Sequence, residues 1–277
     1  MYKVAFTQSW KDLKQNLILF IPDIIIVLFN LLLGLFFLQY SGILGAVKDP
    51  ELWVEGLVTV LPAISSFVQQ NIVRLIITFI AFALTSFVIG SGLTAMKYAM
   101  IKDLVKKKKL TIKKMFYYGK GVWNIIFMKI VMFAIGIIVL IFLSLFITGL
   151  SLIIYYFVKS KVIISLTNLA LVSIIIIVLQ MSFFFRYPIM FLDKKNPLKA
   201  VKDSLTYFLK HKNFVFKIWL IIALLYVLEV LLALLLRRLE FTIPVIGALT
   251  LVLGTLINIT RNLWSEIFKF RTYKSNL

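Results

Sequence analysis

Six apolar runs, each at least as long as the roughly 20 residues that carry a helix through a bilayer, divide this chain. They cover about residues 17–39, 72–96, 125–157, 162–190, 214–236 and 243–266. Runs of that length leave few options. Inside hydrocarbon every backbone N–H and C=O must find a partner within the protein, which admits only helices and closed barrels. A barrel would read as alternating segments of about ten residues, and the runs are continuous instead. A water-soluble fold fails on composition. Hydrophobic residues make up 62% of the chain, against about 45–50% in soluble domains, and the excess is concentrated in the runs. The expectation is an all-α polytopic membrane protein of six transmembrane helices, forming a single integral membrane domain over 1–277. The third and fourth runs exceed the length a crossing needs and are expected to tilt or protrude. Lys159, Ser160 and Lys161 make the tight turn between them.

Charge sets the orientation. Segments 1–16, 97–120, 193–217 and 262–277 hold 22 of the 31 Lys and Arg residues. The opposite side has only Lys48, Lys159, Lys161, Arg237 and Arg238. Basic loops stay in the cytoplasm, so both termini are expected there, in the plasma membrane. Asp49, Glu51 and Glu55 then fall in a long outer loop, 40–71. The opening MYKVAFTQSWKDLKQN has no small-residue cleavage site, so the first run is expected to act as an uncleaved insertion signal. The net charge of +20 follows from this topology and does not call for a nucleic-acid partner, since no nucleic-acid-binding motif accompanies it.

A short amphipathic helix precedes each odd-numbered run. In 197–212, Leu198, Val201, Leu205, Phe208 and Leu209 recur at helical spacing, with Asn196 as N-cap and Pro197 at the first helical position. In 111–123, Thr111 caps and Ile112, Met115, Phe116, Gly119, Val122 and Trp123 form a face. In 3–14, Phe6, Trp10 and Leu13 align with Leu17. Two copies share an Ala-Ser pair four residues apart, Ala5/Ser9 and Ala200/Ser204. The chain therefore divides into three parallel units, about 1–96, 97–192 and 193–277, each a surface helix followed by a span out and a span back. Such helices suit the headgroup layer, with apolar residues in the acyl region and lysines on anionic phosphates. Lys106, Lys107, Lys108, Lys109, Trp10 and Trp123 are the candidate lipid-contacting residues.

Ionisable groups inside spans are costly and are functional candidates by default. Asp23, Glu229, Arg261, Lys129 and Arg186 form the candidate intramembrane polar site. Lys129 and Arg186 lie near the cytoplasmic ends of their spans and can snorkel outward, and Arg74 can do so in the other direction. Asp23 follows Pro22, which loosens the helix, and is expected either to pair with Arg261, Lys129 or Arg186 or to form an ion site. Glu229, near mid-depth, is expected to be neutral, paired with Arg74, or facing a cavity. Asn30, Asn168, Gln180 and Asn258 suit interhelical hydrogen bonds, and Gly90, Ser91 and Gly92 suit close helix approach. The absence of cysteine and the single histidine, His211, argue against metal or thiolate chemistry. No Walker loop, zincin motif or nucleophile elbow occurs, and no cofactor is expected.

The stretch FRYPIMFLDKKNPLKAVKDSLTYFLKHKN, residues 185–213, combines Arg186, Pro188, Asp193, Pro197, Ala200, Ser204 and Asn213. It resembles a widespread group of prokaryotic six-span proteins that includes the membrane domain found beside glycerophosphoryl diester phosphodiesterase catalytic domains. That resemblance implies a non-catalytic, regulatory or scaffolding membrane module. Without a soluble catalytic domain it implies no phosphodiesterase activity. The expected function is a non-enzymatic scaffold or accessory subunit whose basic face meets anionic lipid or a protein partner. The alternative is a small transporter or channel using Asp23, Glu229 and Arg261.

Overall fold

A computed structural model describes residues 2–42, 57–240 and 244–276, and their side chains except at 57–64, 120, 236–240 and 244–249. The expected outer-loop charges Lys48, Asp49, Glu51 and Glu55, and the side chains of Arg237 and Arg238, lie outside that set. All the described elements are helices. They are α1 (Tyr2–Gln15), α2 (Ile21–Ser41), α3 (Leu57–Val105), α4 (Ile112–Tyr118), α5 (Val122–Val158), α6 (Lys161–Ser182), α7 (Arg186–Leu192), α8 (Pro197–Lys210), α9 (Lys212–Glu240) and α10 (Pro244–Ser275). Short 3-10 turns, Leu17–Phe20 and Gly119–Gly121, lead into α2 and α5.

Five stretches are long and apolar enough to cross a membrane: Leu17–Ser41, Ser65–Val105, Val122–Val158, Lys161–Leu192 and Lys212–Leu235. The chain is an all-helical, multi-pass membrane protein. The expected sixth run, 243–266, falls within α10 but is not among the five. Its opening residue is outside the described set, and its basic end is polar. The loop expected over 40–71 is shorter than foreseen, because α3 already begins at Leu57 and continues through a break at Asn71 (φ −117°, ψ 17°). There Asn71 Nδ2 donates to the Phe67 carbonyl at 3.0 Å. The fourth run is also interrupted. The helical path breaks at Phe183–Phe185 and resumes as α7 at Arg186.

Local signals account for several boundaries. Asn196 Oδ1 accepts from the Lys199 N–H at 2.9 Å, and Pro197 starts α8, as its sequence predicts. Thr111 Oγ1 accepts from the Lys114 N–H. Lys159 closes the turn between α5 and α6 in the left-handed region (φ 50°).

Sequential helices pair as hairpins: α2 with α3, α5 with α6, α9 with α10. The shorter helices link them. The α4 segment and its 3-10 turn pack on α3, α8 packs on α6 and α7, and α1 packs on α10. Each lead-in helix thus sits against the returning helix of the hairpin before it. The first of these helices, α1, sits against the α9–α10 hairpin and closes a ring.

The core occupies one end of this ring, the lysine-rich end. It gathers Leu13 and Leu19, Met100 and Ile101, Met115, Ile125 and Met128, Phe185 and Ile189, Ala200, Val215 and Ile218, and Leu263, Trp264, Ile267, Phe268 and Phe270. Trp264, buried completely, takes Phe6 edge-on at 4.9 Å and stacks with Trp10 and Phe268. Away from this end the spans expose their side chains, as at Phe142, Phe157 and Leu235.

The buried faces of the short helices differ from the apolar stripes. In α8, Leu198, Leu205 and Leu209 are 56, 40 and 65% exposed, while Pro197, Ala200, Val201 and Ser204 are buried. In α1 the buried set is Ala5, Ser9, Asp12 and Leu13. Periodicity marks a stripe but does not say whether it faces protein or lipid. Small side chains at the protein-facing positions let the backbones approach closely, and Ser204 Oγ reaches the Ser182 carbonyl at 3.0 Å.

Candidate functional site

The last turns of α10 tie the basic end together. Arg271 forms an ion pair with Asp12 of α1. The Tyr273 hydroxyl donates to Asp193 Oδ2 at 2.7 Å, just after α7. Lys274 Nζ donates to the Val105 carbonyl of α3 at 3.0 Å, and Asn276 Nδ2 donates to the Tyr207 hydroxyl of α8 at 2.6 Å. Burial raises Asp12 above the usual carboxylate range, although the hydrogen bond and charge of Arg271 pull it down. Burial, with donation to Asp193, holds the Tyr273 phenol well above its ordinary range. None of these contacts is readable from spacing along the chain, because every partner lies on another element.

The charges expected to form one intramembrane site fall into separate places. Asp23 pairs with Lys97 at 2.8 Å, not with Arg261, Lys129 or Arg186. Lys97 lies on α3, which stays helical and partly buried through Val105, whereas the charge pattern assigned Lys97 to a surface loop. Glu229 pairs with Arg261 at 2.5 Å, not with Arg74. Arg74 instead donates to the Tyr40 carbonyl and packs over the Tyr40 ring at the far end of the first hairpin. Both ion pairs therefore join the two helices of one hairpin. Lys129 Nζ donates to Ser91 Oγ at 2.9 Å, linking α5 to α3. Arg186 donates to the Phe183 carbonyl at 2.8 Å, across the break before α7, and lies over the Tyr187 ring. Asn30 accepts from Ser86, and Asn168 bonds with Ser151, each within one hairpin.

A motif spread across the three returning ends brings these groups toward one centre. Lys97–Tyr98, Arg186–Tyr187 and Lys269–Phe270 are each a basic residue followed by an aromatic. Tyr98 stacks on Tyr187 at 4.2 Å and on Phe270 at 5.9 Å. Asp23 and Arg186 surround this stack, each with a buried atom (Oδ2 and Nε) that lacks a hydrogen-bond partner. The repeated dipeptide was visible in the sequence and is the signal that would have found Lys97, Tyr98 and Lys269.

Two clefts flank the Glu229–Arg261 pair. One, about 360 Å³, lies between α1, α9 and α10 and is lined by Trp10, Glu229, Arg261 and Trp264 among aliphatic residues. The other, about 440 Å³, lies between α6, α9 and α10 and is lined by Gln180, Trp219, Tyr226, Asn262, Glu266 and Lys269, with Arg261 at its edge. Arg261 is held from three sides. Its Nη1 faces Glu229, its Nη2 donates to Asn262 Oδ1 at 3.0 Å, and its face lies 4.7 Å above the Tyr226 ring.

Of the candidate lipid-contacting residues, Lys106, Lys107, Lys108 and Lys109 are all exposed. Trp123 is 74% exposed. Trp10 is half-buried and stacked on Trp264, so it belongs to the core margin. No family model, curated protein or solved structure matches this chain.

Proposed function

We propose that this protein is a non-enzymatic membrane scaffold or accessory subunit. Its basic end would face the cytoplasm, carry both termini, and meet anionic lipid or an acidic partner at the plasma membrane. The positive-inside rule supports that orientation, with α10 as a sixth span and with α1, α4 and α8 lying along the headgroup layer in three repeated units. The resemblance in layout to the membrane domain of glycerophosphoryl diester phosphodiesterases points to the same kind of role.

One observation carries this reading over transport: each intramembrane carboxylate is already held by a cation on its own hairpin, Asp23 by Lys97 and Glu229 by Arg261. A coupling site needs a carboxylate free to exchange its partner along a pathway. The cleft beside Glu229 is lined by α1, α9 and α10 and does not include Asp23. The exposed run Lys106–Lys109 supplies the contact surface, at about 1 kcal/mol per basic residue near an anionic membrane.

The test has two arms. Lipid carried through purification is compared between wild type and the quadruple variant K106Q/K107Q/K108Q/K109Q, and the variant is expected to lose anionic phospholipid severalfold while melting at the same temperature. Wild type is also sealed into vesicles and assayed for proton and small-ion flux. A flux abolished by Asp23→Asn or Glu229→Gln would overturn the scaffold reading in favour of a transporter.

A further inference from the structure

The basic end carries a backbone feature that its core packing does not explain. Among the described residues three other than glycine adopt a left-handed backbone, and all three are lysines: Lys107 (φ 58°), Lys159 (φ 50°) and Lys194 (φ 55°). Glycine takes that conformation without steric cost and lysine does not. Lys159 closes a hairpin between two spans. Lys107 and Lys194 follow the ends of α3 and α7, both at the basic end. Unfavourable backbone of this kind collects at sites that use it.

The two turns bring lysines to one place. After α3 the Lys107 N–H donates to the Leu104 carbonyl and the Lys108 N–H to the Asp103 carbonyl, each at 2.8 Å. These are the paired bonds that fold a chain back over a helix end. The Lys106 N–H still bonds to the Lys102 carbonyl at 3.0 Å, so those two side chains stand one turn apart on one face. Two consecutive residues of α10 then hold both helix ends, Tyr273 at Asp193 and Lys274 at the Val105 carbonyl. Lys194 is thereby kept beside the end of α3. Lys106, Lys108 and Lys194 all act electrostatically on Lys102. The first three are exposed and Lys102 is half-buried. The neighbouring carboxylates are engaged elsewhere. Asp103 is buried and accepts from the Tyr118 hydroxyl, and Asp193 accepts from Tyr273. Four ammonium groups gathered by two unfavourable turns repel one another, and an anion between them relieves the repulsion.

The chemistry of the ammonium groups narrows the anion. Each is a compact charge with several donors. A phosphodiester offers a single negative charge, and ester substituents flank its free oxygens. A phosphomonoester carries about 1.5–2 negative charges near neutral pH and three acceptor oxygens, at an unsubstituted end that lysines can reach from several sides. The surroundings favour a lipid as its bearer. From Lys109 the chain enters α4, where Ile112 and Phe116, one turn apart, are 55 and 63% exposed.

We propose that Lys102, Lys106, Lys108 and Lys194 form a discrete site for a phosphomonoester lipid headgroup of the phosphatidic acid type. Its phosphate accepts from the four ammonium groups, and its acyl chains lie toward Ile112 and Phe116. The site rests on the lipid-facing reading of the basic end and deepens it. That reading needs only the charge of Lys106–Lys109, whereas the site also needs Lys102 and Lys194, which lie outside that run.

Delipidated wild-type protein is equilibrated near neutral pH with an equimolar mixture of phosphatidic acid, phosphatidylglycerol and phosphatidylcholine of identical acyl chains. Retained lipid is read by native mass spectrometry. Wild type is expected to retain phosphatidic acid about tenfold over phosphatidylglycerol, the ratio one additional charge-assisted hydrogen bond supports. Lys102→Gln and Lys194→Asn are each expected to cut that ratio to about twofold or less. Asparagine tolerates the left-handed turn, so Lys194→Asn is expected to melt with wild type. The K3Q/K14Q variant removes two exposed lysines of α1 from the same end and is expected to keep the full preference. Equal retention of phosphatidic acid and phosphatidylglycerol by wild type would overturn the site and leave the lipid-facing reading standing. An equal fall in the ratio for K3Q/K14Q and Lys194→Asn would do the same, because charge count alone would then explain it. Displacement by glycerol 3-phosphate as effective as by the lipid would overturn the lipid assignment. Retention of no anionic lipid at all would overturn both readings.

Discussion

The two ends of the helical hairpins are built by different rules. At the basic end, aromatic and small side chains from every hairpin interlock around Trp264, Phe185 and the Tyr98–Tyr187 stack. Away from that end the same helices expose Phe142, Phe157 and Leu235, which suit contact with lipid chains. In hydrocarbon an apolar side chain gains little by leaving lipid for protein, so far-end Leu and Phe residues supply no strong reason for the hairpins to converge. At the basic end, hydrogen bonds and ion pairs among Asp12, Arg271, Tyr273, Asp193 and Lys274 give direction as well as attraction. The hairpins are held like stems at one end.

Two substitutions probe that contrast. The largest effect is expected from Trp264→Ala, which empties the centre of the packed end and should cost about 3–5 kcal/mol. Phe142→Ala, on a 69% exposed side chain, should stay within about 0.5 kcal/mol. Circular-dichroism melting in a fixed detergent reads both, and equal losses would break the contrast.

The next effect tests the closing contact between α1 and α10. Arg271→Ala leaves the Asp12 carboxylate buried without its partner and should cost about 1–3 kcal/mol, more than Asp12→Asn does. Asp12 already sits above its ordinary range because burial outweighs Arg271. A carboxyl raised in the folded state contributes stability below its unfolded value, and that contribution is lost as pH climbs through the folded value. Removing Arg271 removes what pulls Asp12 down, so this loss should grow. The R271A variant is expected to regain stability on lowering the pH from about 7 to about 4, and wild type to change less. A flat pH response in the variant would mean that Asp12 does not feel its burial.

The smallest effect concerns Tyr118, whose hydroxyl donates to Asp103 between α4 and the end of α3. Burial and that hydrogen bond push its phenol up to about 12. The neutral phenol is the form that holds the contact. Its contribution is therefore full below the ordinary phenol value near 10 and is lost as pH rises through about 12. Tyr118→Phe is expected to lower the melting temperature at neutral pH, where the contact is fully formed, and to flatten the alkaline part of the stability profile, read by circular-dichroism melting across pH.

Much of the architecture was legible in the chain, and the illegible part has a common cause. Hydropathy placed five of the six expected spans and the turn at Lys159, and capping chemistry placed the start of α8 at Pro197. The Ala5/Ser9 and Ala200/Ser204 pairs marked the protein-facing sides of α1 and α8, and in α8 did so better than its leucines, because contact between backbones requires small residues. The helix beginning at Leu57 was hidden by acidic residues just before it and by Asn71 within it. Pairing among the charges was harder still. Asp23, Glu229, Lys97 and Arg261 were all conspicuous, but their partners were set by which helices become neighbours, and one chain's periodicity carries no record of that. Counting Lys97 among loop lysines obscured its place on α3 and its role as an ion-pair partner.

The ring closed by α1 also has a consequence in time. Asp12 and Arg271 are 259 residues apart. At about 5–20 residues per second of synthesis, α1 waits roughly 10–50 s for the helix that receives it. During that interval Phe6, Trp10 and the Ala5/Ser9 face have no protein surface to cover them, and the membrane surface is the nearest apolar shelter. The contact joins two helices 259 residues apart, so it can form only once every helix between them has been made.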